Sequence, residues 1–241
     1  MTGAPLRVAA AADLHVDRSK TDEWRRWLAP LSDEADVLLL GGDLTQIGIA
    51  DEAEALAEVL AEVSVPVFAV LGNHDLHSGA AVDVRRVLER AGVWVLDGDH
   101  AQLEIAGRSL GIAGVTGFGG GFPGAEASDF GELEMKRFVA RTRRMADQLE
   151  EGLEALDADL RIALLHYAPV SDTLDGERLE LYPFLGSHLL GRSVDAAGAD
   201  LVLHGHAHFG SEEGKTLGGV PVRNVAQMVI RAPYRVFRFA G

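Results

Sequence analysis

Apolar residues gather along this chain in short unbroken runs: Leu6 to Ala12, Val37 to Leu40, Val67 to Leu71, Leu160 to Leu165 and Leu201 to Leu203. Each closes on glycine or a polar residue, as central strands of an α/β sheet do when both faces are covered. Between the third and fourth runs the pattern predicts a helix over residues 80 to 91, a short strand over 93 to 96 and a hairpin from 101 to 105 and 109 to 115. The glycine-rich stretch Gly117 to Gly124 then leads into a long helix over about 130 to 156. Beyond residue 208, the segments 218 to 225, 227 to 232 and 234 to 239 read as closing strands of a second sheet.

The residues that close the five runs carry the chemistry. They are Asp13-Leu14-His15, Gly41-Gly42-Asp43, Gly72-Asn73-His74-Asp75, His166 and Gly205-His206-Ala207-His208. In open α/β sheets ligands bind outside the carboxyl ends of the strands, so distant parts of the chain can converge there. Imidazole, carboxylate and amide donors without any thiolate point to a metal site, and to Mn, Fe, Zn or Co rather than Ca or Mg. Two cations a few ångströms apart need a shared carboxylate to hold them, typically about 3.5 to 4 Å apart. Coordinating imidazoles must be neutral, so acid should weaken metal binding.

In the order D-x-H, G-D, G-N-H-D/E, H and G-H-x-H, these clusters resemble the signature of the calcineurin-like metallophosphoesterases, over residues 13 to 208. One such motif is weak; five in order, each at a strand end, are specific. The resemblance implies two packed mixed β-sheets flanked by helices, a four-layer α/β sandwich with two metals at the sheet edge. It implies that Asp13, His15, Asp43 and His208 hold one metal, that Asp43, Asn73, His166 and His206 hold the other, and that Asp43 bridges them. A metal-bridging hydroxide would be the nucleophile. His74 would not bind metal but lie over the phosphate as general acid or transition-state stabiliser, a role suited to an imidazole. Many relatives carry G-D-x-x-D, whose last Asp orients that histidine. Here the stretch reads Gly42-Asp43-Leu44-Thr45-Gln46, and Gln46 can hydrogen-bond the ring but brings no negative charge.

Within that superfamily the chain resembles the small prokaryotic branch that includes class III cyclic-nucleotide phosphodiesterases. That implies a phosphodiesterase acting on a small phosphoester. A nucleotide or nucleotide-sugar pyrophosphatase is the alternative within enzymology. A non-catalytic scaffold on the same fold is the other, although scaffolds typically lose ligands that are all present here.

The remaining histidines are less telling. His204 reads either as a group orienting a ligand or as a buried histidine bonded to main chain; His77, His100 and His188 match no motif. Phe118 or Phe122 either packs against the organic part of a substrate or belongs to a mere connection, and Tyr167 to Leu185 is a second candidate for a substrate-facing loop. A structural role is expected for Asn224-Val225-Ala226.

Composition narrows the class. The 241 residues carry 22 basic and 37 acidic side chains, a net charge of −15, without the basic stripe that nucleic-acid binders present. Arg137, Arg141, Arg143 and Arg144 cluster on the long helix and read as a solvated face paired with neighbouring acids. No cysteine is present, so disulfides are excluded. With neither a membrane-spanning stretch nor a signal peptide in view, a single cytoplasmic domain is expected.

Overall fold

The computed structural model describes residues 5–105 and 107–240. The apolar runs become the parallel strands β1 (Leu6–Ala11), β2 (Val37–Gly41), β3 (Val67–Val70), β9 (Leu160–Leu165) and β10 (Leu201–His204). Every residue of β2 and β3 is buried, which is why neither shows the apolar–polar alternation of a half-exposed strand.

Two sheets result. The first has the order β13–β1–β2–β3–β4, with β4 spanning Val93–Leu96 and β13 spanning Arg235–Phe239. The second has the order β11–β12–β10–β9–β6–β5, adding β5 (Asp99–Ile105), β6 (Arg108–Val115), β11 (Glu213–Lys215) and β12 (Pro221–Asn224). A small hairpin pairs β7 (Gly121–Phe122) with β8 (Ala125–Glu126).

Side-chain alternation along β2 explains the layers. Val37 and Leu39 join the core between the sheets, together with Val8 and Phe68 from the first and Ile112, Ile162 and Leu203 from the second. Leu38 and Leu40 face the other way, onto helices α1 (Thr21–Leu28), α2 (Leu31–Glu34), α3 (Ala50–Leu60) and α5 (Ala81–Arg90). The second sheet's outer face is covered by α6 (Leu133–Glu154) and α8 (His188–Ala197) through Leu149, Leu153, Leu190 and Val194. Each fully buried Leu contributes roughly 2 to 3 kcal/mol of transfer free energy, so the two faces of β2 alone tie three layers together. The α/β class with two mixed sheets flanked by helices is as expected.

Two sequence expectations fail at the C-terminal end. Residues 227 to 232 are not a strand: Gln227–Ile230 forms the one-turn helix α9. The β-branched content reads as strand, but Val229 and Ile230 donate main-chain hydrogen bonds back to Ala226 instead of to a neighbour. The last strand also belongs elsewhere. β13 pairs antiparallel with β1, Leu6 opposite Phe239, and so extends the first sheet; of the three segments only β12 joins the second, with β11 at its edge.

Candidate metal centre

All five clusters lie at the carboxyl ends of parallel strands, and hydrogen bonds between the following loops draw the two sheets' ends together. Ala12 N donates to Val225 O at 2.9 Å, Gln227 N to Ala12 O at 3.0 Å and His206 N to the Asp13 carboxylate at 2.9 Å. Asp13, His15, Asp43 and His206 have φ of 59°, 45°, 50° and 70°. Non-glycine residues seldom adopt this left-handed backbone, though Asp, Asn and His do so more readily than most. Such strain concentrates where side chains must be aimed at a shared point.

Two glycines allow the approach. A Cβ at Gly72 would collide with the Asp43 carboxylate, and one at Gly205 with the Asp13 carboxylate.

The carboxylates and imidazoles form two groups. One donor atom from each of Asp13, His15, Asp43 and His208 lies within 4.8 Å of the others, and the same holds for Asp43, His166 and His206. Asp43 belongs to both. Asn73 joins the second group, its Oδ1 standing 2.9 Å from His166 Nε2. His166 Nδ1 lies 2.9 Å from the Gly41 carbonyl. Donating there leaves the lone pair on Nε2, which then faces Asn73 and, at 3.3 Å, Asp43. A lone pair turned toward two oxygens is understandable with a cation between them.

His15 makes the same case independently. Neither of its buried ring nitrogens has a hydrogen-bond partner among the described residues, an arrangement that costs stability unless something fills it. Burial pushes the His15 imidazole down to about 4 and that of His206 down to about 3. Both are therefore neutral at neutral pH, the form that ligates. Burial works to raise the Asp13 carboxyl, yet its hydrogen bond from His208 brings it down to about 2. The same 2.8 Å contact raises His208. These residues fit a dinuclear centre.

His74 sits beside the groups without joining them. Its main-chain N–H donates to Asp43 Oδ1 at 2.8 Å and its Nε2 stands 4.0 Å from Asp43 Oδ2. The ring is held through Nδ1, 2.7 Å from the main-chain carbonyl of Gln46. The Gln46 side chain therefore does not take the place expected for it; the carbonyl does.

One structural residue escaped assignment from sequence. Asp75, fully buried, accepts from Leu44 N, Thr45 N, the Thr45 hydroxyl and Gly72 N at 2.6 to 3.2 Å. It locks the loop carrying Asp43 to the one carrying Asn73 and His74. Its signal was its position three residues after Gly72, that of a capping box.

His204 turns out to be the buried alternative. Its Nδ1 meets the Gly205 carbonyl and its Nε2 the Thr173 hydroxyl, each at 2.8 Å, and burial pushes it down to about 4. His77 and His100 are exposed, and His188 Nδ1 meets the Gly121 carbonyl at 3.1 Å. The Asn224 side chain donates to Ala207 O at 2.8 Å, steadying the loop between His206 and His208.

Phe122 is 4% exposed and packs with Ala168, Leu174 and Ala207, so its ring belongs to a small core. A cavity of about 590 Å³ lined by Phe122, Leu179, Tyr182, Arg192 and Leu217 contains none of the candidate ligands. The chemistry lies at the sheet edge, not in that cavity. No helix among the described residues is long and apolar enough to cross a membrane.

Comparison with known proteins agrees with this geometry. The chain is 28% identical over 216 residues to the UDP-2,3-diacylglucosamine hydrolase of Stenotrophomonas maltophilia, covering 82% of this chain and 80% of that one. Its fold is similar to that of phosphopantetheinyl hydrolase from Mycobacterium tuberculosis, at a TM-score of 0.68 and 16% identity, with 98% and 96% of the chains covered. It is also similar to GAP50, the anchor in the inner membrane complex of Plasmodium, at 0.57 and 12%, with 93% and 72% covered. The calcineurin-like phosphoesterase family model matches residues 6–210. With that match and two adjacent groups of metal-competent side chains, the chain belongs to the calcineurin-like phosphoesterases, enzymes that hydrolyse phosphoester bonds.

Proposed function

We propose that the protein is a dinuclear-metal phosphodiesterase in which Asp13, His15, Asp43 and His208 hold one ion, Asp43, Asn73, His166 and His206 hold the other, and His74 is the general acid. The sharing of Asp43 between the two groups carries this reading. When bound, two such cations supply Lewis acidity toward phosphoryl oxygens and acidify water between them; Mn, Fe and Zn all suit the donors.

The chain's own part is to aim and to supply protons. Asp43 spans the groups while fixing the main chain of His74. The Gln46 carbonyl holds His74 Nδ1, leaving Nε2 free to carry a proton to a leaving alkoxide. A diester of an ordinary alcohol gains most from that proton, which supports a diester over an activated monoester as substrate. Ligands come from both sheets, which supports reading the chain as one metallophosphoesterase domain.

A nucleotide-sugar pyrophosphatase is the second reading, favoured by the match to a hydrolase whose named substrate is a UDP-sugar. The scaffold reading draws on the anchor named for GAP50, but loss of ligands, which would favour it, is not seen among the seven proposed ligand residues. The test is hydrolysis of bis(p-nitrophenyl) phosphate and p-nitrophenyl phosphate by metal-stripped protein resupplied with Mn²⁺, with Asp43→Asn as control. Diester cleavage that needs both metal and Asp43 is the expected result. Protein that takes up no metal would turn the reading to the scaffold.

A further inference from the structure

Among the arginines without an ion pair in the described residues, which include Arg137 and Arg144, Arg141 is seated over an aromatic ring. In a chain with 15 more acidic than basic side chains, Arg7, Arg18, Arg25, Arg85, Arg143 and Arg235 all find carboxylates. Arg141 has no ion pair among the described residues. Instead its guanidinium carbon lies 4.2 Å from the centroid of the Phe118 ring, a cation–π seat that fixes the plane of the group without neutralising it.

The seat is built. Phe138 and Arg141 are three residues apart on α6 and so share a face, and Phe118 packs against Phe138 at 4.9 Å. The Thr142 hydroxyl donates to the Gly119 carbonyl, clamping the loop that carries Phe118 to the same helix.

From Phe118 the contacts lead to the metal centre. Its ring centroid is 5.8 Å from that of Tyr167, which is in turn 4.4 Å from His206 and 5.4 Å from His166. The Tyr167 residue is 8% exposed, yet its hydroxyl makes no hydrogen bond among the described residues. A phenol O–H without a protein acceptor can donate to a bound anion. A phenol thus flanks the His166–His206 side of the centre with a guanidinium seated on the next ring out, neither having a protein acceptor among the described residues.

We propose that Arg141, with Tyr167, forms an anion subsite for a second negatively charged group of the substrate. The guanidinium is reached through Tyr167 and Phe118, two rings further out than the ligands, so it meets a group beyond the phosphoryl that the metals would take. A phosphate there accepts two parallel N–H bonds from a planar guanidinium. The substrate class this selects is a phosphoester with a further phosphate next to the scissile one, as in a diphosphate diester. The inference rests on the hydrolase reading above.

The experiment compares the binding of ADP and AMP to Mn²⁺-loaded wild type, Arg141→Gln and Arg141→Lys by equilibrium dialysis. Metal content and Tm of each protein are measured alongside. Wild type is expected to prefer ADP by about tenfold, as one charge-assisted pair can provide. Arg141→Gln should bring the ratio close to one, and Arg141→Lys, charged but without the fork, should lie between. A wild type that binds ADP no more tightly than AMP, or an Arg141→Gln variant that keeps the wild-type ratio, overturns the subsite. Hydrolysis of bis(p-nitrophenyl) phosphate by wild type is scored separately. Its absence alongside an Arg141-dependent ratio would remove the hydrolase reading and leave the subsite; its presence with an Arg141-independent ratio would remove the subsite alone.

Discussion

The Nδ1 atom of His74 lies 2.7 Å from the main-chain carbonyl oxygen of Gln46. A carbonyl is present whatever side chain residue 46 carries, so the ring is oriented by the path of the backbone. Gln46→Ala is therefore expected to retain kcat/KM for bis(p-nitrophenyl) phosphate within about threefold, whereas His74→Ala should lose roughly 10²- to 10⁴-fold on a diester with an alkyl leaving group. Its loss on the nitrophenyl diester, whose phenolate departs unaided, should be far smaller. Equal losses on both esters would remove His74 as the proton donor.

Asp75 predicts a stability effect. Its carboxylate holds three main-chain N–H groups and one hydroxyl away from solvent. Asp75→Ala leaves those donors unpaired and should cost roughly 3 kcal/mol in urea unfolding of the metal-free protein. Asp75→Asn, whose amide turns a donor toward donors, should recover only part. A loss below about 0.5 kcal/mol would mean that the two loops are held by other means.

Gly72 separates metal binding from folding. The Cβ of Gly72→Ala would meet both the carboxylate and the main-chain nitrogen of Asp43, so residue 43 must shift. The expected outcome is a protein with wild-type far-UV circular dichroism and substoichiometric metal by elemental analysis. Full metal content would show that the loop yields more easily than its packing implies.

Far from the centre, Arg7 and Asp36 give a pH prediction. The Arg7 side chain and main-chain N–H bond the Asp36 carboxylate at 2.7 Å, and that guanidinium holds the carboxyl below the usual carboxylate range. A depressed carboxyl stabilises the fold fully above its unfolded value, about 3.9, and loses that contribution as pH falls through the folded one. Metal-free Asp36→Asn should thus have a lower Tm than wild type at pH 7, the gap closing as the pH drops below about 4. A gap that stays constant from pH 7 to 2 would assign it to lost packing.

How much of this was legible beforehand depended on whether side chains or main chain did the work. The strands β1, β2, β3, β9 and β10 announce themselves because burial on both faces demands unbroken apolar runs, and their ends point to the ligand clusters. Glu213–Lys215 is a strand with no apolar pattern, since it lies exposed at a sheet edge. The pairing of β13 with β1 joins residues more than 220 apart, and nothing in a local pattern records a partner at that distance. Gln46 was misread for a related reason: sequence shows which side chain is available, not which carbonyl the backbone presents. Arg141 was grouped with its helical neighbours, yet only Arg143 of the four has an acidic partner among the described residues. Arg137, Arg141 and Arg144, spaced by four and three residues, share one face of that helix, and Arg143 lies on another.

The left-handed backbone at Asp13, His15, Asp43 and His206 bears on how this protein would respond to heat. Glycine would adopt those angles at less cost, by on the order of 1 to 2 kcal/mol at each position, yet every such replacement deletes a donor. A search for heat-resistant variants would thus be drawn to the very substitutions that end its chemistry. Ions that occupy the site offset part of that cost through mass action. Thermal tolerance would then track the supply of transition metal around the protein, and a starved sample would melt earlier than a replete one of identical sequence.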